Sequence, residues 1–229
     1  SVLREYDIRG IIGETLYEED ATALGRAFGT LVIEGGGSRV CVGYDGRQSS
    51  PGMEAALVEG LRSTGLAVDR VGLGPSPMLY FAAAESGADA GVMVTGSHNP
   101  PNHNGFKMVL GRKPFYGDAI KDLGSRAATG TFATGNGTVA NRPAFENYVS
   151  RVLSDFKGGK ELSVVWDPGN GAAGDVVTAA VKGLPGRHLV INGDIDGTFP
   201  NHHPDPTVPE NLEQLQAAVA AEGADVGFA

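Results

Sequence analysis

The sequence predicts an α/β protein built from two repeated α/β domains with mostly parallel, mixed sheets, the second domain truncated at its carboxyl-terminal end. Three observations carry this expectation. Apolar runs of strand length alternate with stretches of helical spacing, those runs are continuous where a half-exposed strand would alternate, and the second half of the chain repeats landmarks of the first.

The strand-length runs, rich in Val and bounded by glycine, are residues 40–43, 67–73, 91–95, 106–110, 162–166 and 188–191. Continuous apolar strands belong in sheets covered on both faces. Between them, Leu24, Ala27, Phe28 and Leu31 mark one helical face, and Ala56, Leu57, Gly60 and Leu61 mark another. Ser50-Pro51 and Ser76-Pro77 each place a capping residue before a proline at the first helical position, the pattern that starts a helix. Residues 130–141 are rich in Gly, Thr and Asn and read as an exposed connection ahead of a helix-like run at 144–156. The chain divides there, into residues 1–140 and 141–229.

The repeat is visible when the halves are set side by side. Tyr44-Asp45-Gly46 ends a strand in the first half, as Trp166-Asp167-Pro168-Gly169 does in the second, where Gly171-Ala172-Ala173-Gly174 then opens a helix. Gly87-Ala88-Asp89-Ala90-Gly91 matches Gly223-Ala224-Asp225-Val226-Gly227. The first of these strands runs on into Thr95-Gly96-Ser97; the second reaches Ala229 before an equivalent loop.

Composition narrows the partners. A net charge of −9 argues against nucleic acid, whose binding needs clustered Lys and Arg. No apolar run approaches the roughly 18 residues needed to cross a bilayer, and residues 1–10 lack the apolar core of a signal peptide, so a cytoplasmic protein without a membrane partner is expected. The single Cys41 excludes a disulfide framework and reads as a buried strand thiol. Lys107, Arg112 and Lys113 fall in a stretch from Asp89 to Asp118 that is free of intervening carboxylates. That stretch is either a local field for an anion or a buried segment with no room for acids.

Thr95-Gly96-Ser97-His98-Asn99-Pro100-Pro101 follows a buried strand, and ligands of open α/β sheets gather at the carboxyl ends of strands. Gly96 permits a sharp turn and the two prolines stiffen the exit, so Ser97 stands at the tip of a rigid loop. Such a serine suits a nucleophile or a phosphate carrier, with His98 as proton partner, Asn99 as amide donor, and Lys107 returning on the next strand. The plainer alternative is a turn whose Ser and Asn bond to local backbone. A hydrolase elbow does not fit, since Asn99 stands where Gly-x-Ser-x-Gly needs glycine. The histidines 98, 103, 202 and 203 lack the spacing of zinc motifs.

The loop Thr95-Gly96-Ser97-His98-Asn99-Pro100 resembles the phosphoserine loop of the α-D-phosphohexomutases. Further segments agree in order: Tyr6-Asp7-Ile8-Arg9-Gly10, Asp45-Gly46-Arg47, Asn104-Gly105-Phe106-Lys107 and Asp167-Pro168-Gly169-Asn170-Gly171. Asn201-His202-His203-Pro204-Asp205-Pro206 is similar to the bacterial phosphomannomutase/phosphoglucomutase branch.

The resemblance implies reversible interconversion of hexose 1-phosphate and hexose 6-phosphate through a phosphoserine and a 1,6-bisphosphate, with mannose or glucose phosphates as substrates. It makes Ser97 the phosphoryl carrier, Lys107 and His98 its catalytic neighbours, and Tyr6, Arg9, Arg47 and Asn99 contacts to substrate or phosphate. It also implies Mg2+, bound in part through the phosphate on Ser97. The family's Asp-Gly-Asp-Gly-Asp-Arg metal loop is absent from the sequence and is expected directly after Ala229, so this stretch of chain is expected to be inactive alone. A second departure is Gly43-Tyr44-Asp45 where the family often has Gly-Arg-Asp. The alternative class is a two-domain protein that binds sugar phosphate and never carries phosphate on Ser97.

Overall fold

A computed structural model describes residues 2–229. The first sheet has strands β1 (Ile8–Ile11), β2 (Arg39–Tyr44), β3 (Ala67–Leu73), β4 (Ala90–Val94), β5 (His103–Leu110), β6 (Lys113–Phe115) and β7 (Thr138–Asn141). Their order is β1-β5-β4-β2-β3-β7, with β6 beside β5. The strands β2, β3, β4 and edge strand β7 run parallel, while β1, β5 and β6 join antiparallel.

Helices cover both faces, and the period of two along a strand sorts the side chains between them. Val40 and Val42 of β2 and Val92 and Val94 of β4 enter one core. They meet Leu24 and Phe28 of α1 (Glu18–Glu34), Leu57 and Leu61 of α2 (Ser50–Arg62), and Ile120 and Leu123 of α4 (Asp118–Thr129). Cys41 and Met93 point the other way, to Met78, Leu79 and Ala83 of α3 (Ser76–Ser86). Each such aliphatic side chain contributes about 1.5–3 kcal/mol by leaving water, which explains why these runs carry no polar alternation. Cys41 is buried as expected, and burial pushes its thiol pKa up, so it is a packing group.

The second sheet is parallel, in the order β10 (Val226–Phe228), β8 (Leu162–Trp166), β9 (Gly186–Val190). Helix α5 (Phe145–Ser154) spans the two units, its Tyr148 lying 5.6 Å from Phe81 of α3. Helices α6 (Gly174–Ala180) and α7 (Glu213–Glu222) complete the second unit.

The repeat is physical. Gly87 and Gly223 both end a helix in the left-handed conformation. Two residues on, the Asp89 amide donates to Arg39 O and the Asp225 amide to Ser163 O, setting β4 beside β2 and β10 beside β8 in matching register.

Four details depart from the sequence reading. Residues 138–141 form the edge strand β7, so the expected division at 140/141 falls inside a strand of the first sheet. Ser50 and Ser76 make no capping bond; Pro51 and Pro77 still occupy the first turn, and the Ser50 hydroxyl donates instead to Asp45 Oδ1 at 2.5 Å. Strands β1 and β6 add antiparallel pairs that no apolar run announced. Strand β10 was not among the apolar runs either, and its Phe228 is half exposed, stacked 5.0 Å from Trp166.

Candidate phosphoryl-carrier site

The serine loop joins β4 to β5, so the chain turns back on itself and pairs Met93 with Lys107. This register returns Lys107 beneath the loop tip, and its Nζ donates to Ser97 Oγ at 3.1 Å. Ser97 has φ 53°, a left-handed conformation uncommon outside glycine that persists only where surroundings enforce it.

The enforcement comes from Asp45 and Arg47. The buried Asp45 carboxylate accepts five bonds: from the Arg47 amide and Nε, Ser50 Oγ, Thr95 Oγ1 and the Gly96 amide. Thr95 Oγ1 in turn accepts from the Ser97 amide at 2.9 Å. The Arg47 side chain is 0% exposed and lies inside the loop. Its Nη1 donates to Pro100 O (2.6 Å) and His103 O (3.1 Å), and its Nη2 to Ser97 O (2.8 Å) and Asn99 O (2.7 Å). Burial pulls the guanidinium pKa below the ordinary arginine value, and Asp45 opposes that pull. Gly96 is required at this approach, because a Cβ there would stand 2.4 Å from Arg47 Cζ.

Ser97, His98 and Lys107 line one cleft of about 370 Å³, walled on its far side by Pro168, Asn170 and Phe199 of the second unit. His98 Nδ1 lies 2.6 Å from Pro204 O. A carbonyl only accepts, so Nδ1 carries the hydrogen and a neutral His98 has its lone pair on Nε2.

The other expected site residues lie elsewhere. Tyr6, Arg9 and Asn99 line a separate cavity of about 750 Å³, together with Arg4 and His103. Arg9 is ion-paired to Asp7, and Tyr6 is exposed beside Tyr116 at 6.2 Å. The Asn99 amide folds back onto Gly96 O at 2.8 Å, as the plain-turn alternative anticipates for that residue. Arg47, expected as a contact to substrate or phosphate, is turned into the loop instead. Its donors face loop carbonyls and Asp45, and its side chain is closed to solvent.

Reasoning from sequence missed Asp45, Thr95 and Asn104. Asn104 is fully buried, donates to Ser49 Oγ and Ser50 Oγ, and ties the loop exit to the start of α2. The only signal for these groups was their place inside the quoted motifs.

Among the described residues, no group of three or more His, Cys, Asp and Glu side chains is placed to hold a metal ion. The nearest carboxylate to the serine loop, Asp45, has both oxygens engaged by the donors above. The donor set of this chain therefore does not fit magnesium by itself, since that ion takes one or two carboxylates besides phosphate oxygens.

A serine held on a rigid loop at the end of a sheet, with an ammonium on its oxygen and a half-closed cleft in front, defines an α/β protein suited to an anionic group such as phosphate. The comparisons with known proteins agree. The family model for phosphoglucomutase/phosphomannomutase α/β/α domain I matches residues 1–133, and that for domain II matches residues 145–229. The chain belongs to the phosphoglucomutase/phosphomannomutase family. It is 43% identical over 229 residues to a phosphomannomutase/phosphoglucomutase of Pseudomonas putida, and 39% identical over 230 residues to a phosphoglucomutase of Neisseria meningitidis. Each alignment covers 100% of this chain and 50% of the relative, so the chain spans about half the length of those proteins. A crystal structure of a phosphoglucomutase/phosphomannomutase family protein from Burkholderia thailandensis superimposes with a TM-score of 0.95 at 45% identity. It is matched over 100% of this chain and 52% of its own.

Proposed function

We propose that this chain supplies the phosphoryl-carrying half of a phosphomannomutase/phosphoglucomutase, an isomerase that interconverts hexose 1-phosphate and hexose 6-phosphate through a phosphoserine and a 1,6-bisphosphate. The observation that carries the reading is the 3.1 Å contact of Lys107 Nζ with Ser97 Oγ on a loop whose backbone is held from within by Arg47. The names borne by the relatives support the substrate class, mannose and glucose phosphates.

In the forward step, the bond between Ser97 Oγ and phosphorus breaks as a bond from a sugar hydroxyl oxygen to phosphorus forms. The sugar hydroxyl's proton ends on Ser97 Oγ. Lys107 neutralises charge on the serine oxygen as it leaves. His98 presents Nε2 to the cleft as a proton acceptor, because Pro204 O holds the hydrogen on Nδ1. Arg9, Tyr6 and Asn99 shape the neighbouring cavity, where Arg9 and Arg4 are the cations that could face a phosphate. Magnesium is the ion this family implies, and when bound it would screen the phosphoserine. A cytoplasmic location is part of the same proposal, and no helix among the described residues is long and apolar enough to cross a membrane.

The test is intact-mass analysis of the complete protein after incubation with a hexose 1,6-bisphosphate and magnesium. One added phosphoryl group on Ser97 is expected, none in Ser97→Ala, and uptake about 10²-fold slower in Lys107→Met. Binding of hexose phosphate with no mass added to Ser97 would establish the noncatalytic alternative instead.

A further inference from the structure

We propose that Phe199, acting through Arg47, positions the Ser97 loop, so that the second unit sets the geometry of the group carried by the first. Arg47 has its in-plane donors committed to four loop carbonyls and Asp45. What remains of the guanidinium is its flat face, and the Phe199 ring lies against it, 5.1 Å from ring centroid to Cζ. The ring thus closes a cage whose other walls are the loop itself.

The segment bearing Phe199 is shaped for this contact. Phe199 has φ 51°, a conformation rare for a bulky residue. A turn built on Asp196 enforces it, through the Phe199 amide on Asp196 O (3.0 Å) and the Thr198 amide and hydroxyl on Asp196 Oδ1 (2.8 and 2.7 Å). Strain of this kind persists where the surroundings over-determine it, and here it aims one ring at one cation. Gly197 rides directly on the first unit: a Cβ at this position would stand 2.5 Å from Arg47 Cα and 2.5 Å from Gly46 O. The bond from His98 to Pro204 O ties the same stretch of the second unit to the residue after the serine.

Phe199 is therefore a positioning residue, acting on Ser97 through Arg47. The inference deepens the reading of Ser97 as phosphoryl carrier and rests on it for its catalytic consequence. Its structural content can be tested without that reading.

The experiment is hydrogen exchange by mass spectrometry on the 229-residue chain, comparing the native protein with Phe199→Leu, Phe199→Met and Phe199→Tyr. Methionine keeps most of the volume without a π face and serves should the leucine variant not fold. Exchange in the peptide covering residues 96–104 should rise about 10-fold for Leu and Met, with strands β2 and β4 unchanged, and Tyr should restore the native rate. An unchanged loop in a folded Leu or Met variant would overturn the proposal, and so would acceleration spread evenly over the chain. A second arm follows phosphoryl uptake by Ser97 from a hexose 1,6-bisphosphate. Phe199→Met should slow the rate without moving the half-saturating concentration, and a shift in that concentration alone would make Phe199 a substrate contact and overturn the positioning role. If the complete native protein, supplied with magnesium, takes up no phosphate, the carrier reading falls while the exchange result still decides the positioning claim.

Discussion

Asp45 and Asp167 stand at the same point of the two repeated units, each just past the end of a parallel strand, and each gathers loops around a buried carboxylate. They do so with different partners. Asp45 accepts five bonds, two of them from Arg47, a cation that cannot release its proton in a protein. Asp167 accepts three, from the Gly169 amide, Asn192 Nδ2 and His202 Nε2, each about 3.0 Å long. A buried aspartate carboxylate serves to fold a loop in both units, but only the first reaches through its cation into another loop 50 to 56 residues away. The cost of burying Arg47 is accepted where the Ser97 loop has to be held, whereas Asp167 is held without an arginine.

The largest expected effect tests that contrast directly. Arg47→Met removes the cation and one of five donors from the buried Asp45 carboxylate and leaves four loop carbonyls without theirs, so it should destabilise the chain by about 3–5 kcal/mol in urea unfolding. Arg47→Lys should recover only part of this, because three rotating donors cannot satisfy five fixed acceptors. A loss below about 1 kcal/mol would mean that water enters and replaces the guanidinium, and the cage would lose its meaning.

His202→Ala should have a smaller effect, about 1–2 kcal/mol, since Asp167 keeps two of its three donors and the His202 side chain is already 12% exposed. Equality between Arg47→Met and His202→Ala would break the comparison. A larger loss for Arg47 sharpens it, and adding Phe199→Leu to Arg47→Met should then cost less than the leucine change alone, because the ring has lost its cation.

Much of this architecture was legible because its signals were local. The parallel strands were readable from residues 67–73 and 162–166, whose apolar character follows from burial. The repeat was readable because a helix-ending glycine and the following aspartate lie within three residues of each other. Strand β7 was not, because Val139 is 42% exposed at a sheet edge and such a strand needs no apolar pattern. The contact between Ser97 and Lys107 was within reach because a strand reversal separates them by only ten positions. The role of Arg47 was not, for its acceptors are main-chain carbonyls 50 to 56 residues away, and a carbonyl leaves no mark in a sequence. The same holds for Phe199, which reads as an ordinary apolar residue until the ring is found over a cation.

The smallest expected effect lies at the other end of the repeat, where Asp89 and Asp225 tie matching strands. Asp89 Oδ2 accepts from the Ser38 amide at 2.7 Å and the Arg39 amide at 3.0 Å, whereas Asp225 Oδ2 accepts from the Ser163 amide alone at 2.8 Å. The Ser38 bond first, then the Arg39 bond, hold the Asp89 carboxyl below its usual range, against a smaller opposing effect of burial. A folded pKa depressed in this way gives stability that is present above the unfolded value of about 3.9 and is lost as pH falls through the folded value. Asp89→Asn keeps an acceptor but removes the charge, so it should cost about 1 kcal/mol at pH 7. That difference from the native chain should shrink at a second, acidic pH below the folded value, because the native carboxyl is then neutral as well. Asp225→Asn, at a more exposed position with one donor fewer, should cost less than Asp89→Asn at pH 7. Urea unfolding of the three proteins at both pH values measures all of this, and a loss for Asp225→Asn as large as that for Asp89→Asn would show that the number of amide donors does not decide how strongly each repeat is tied.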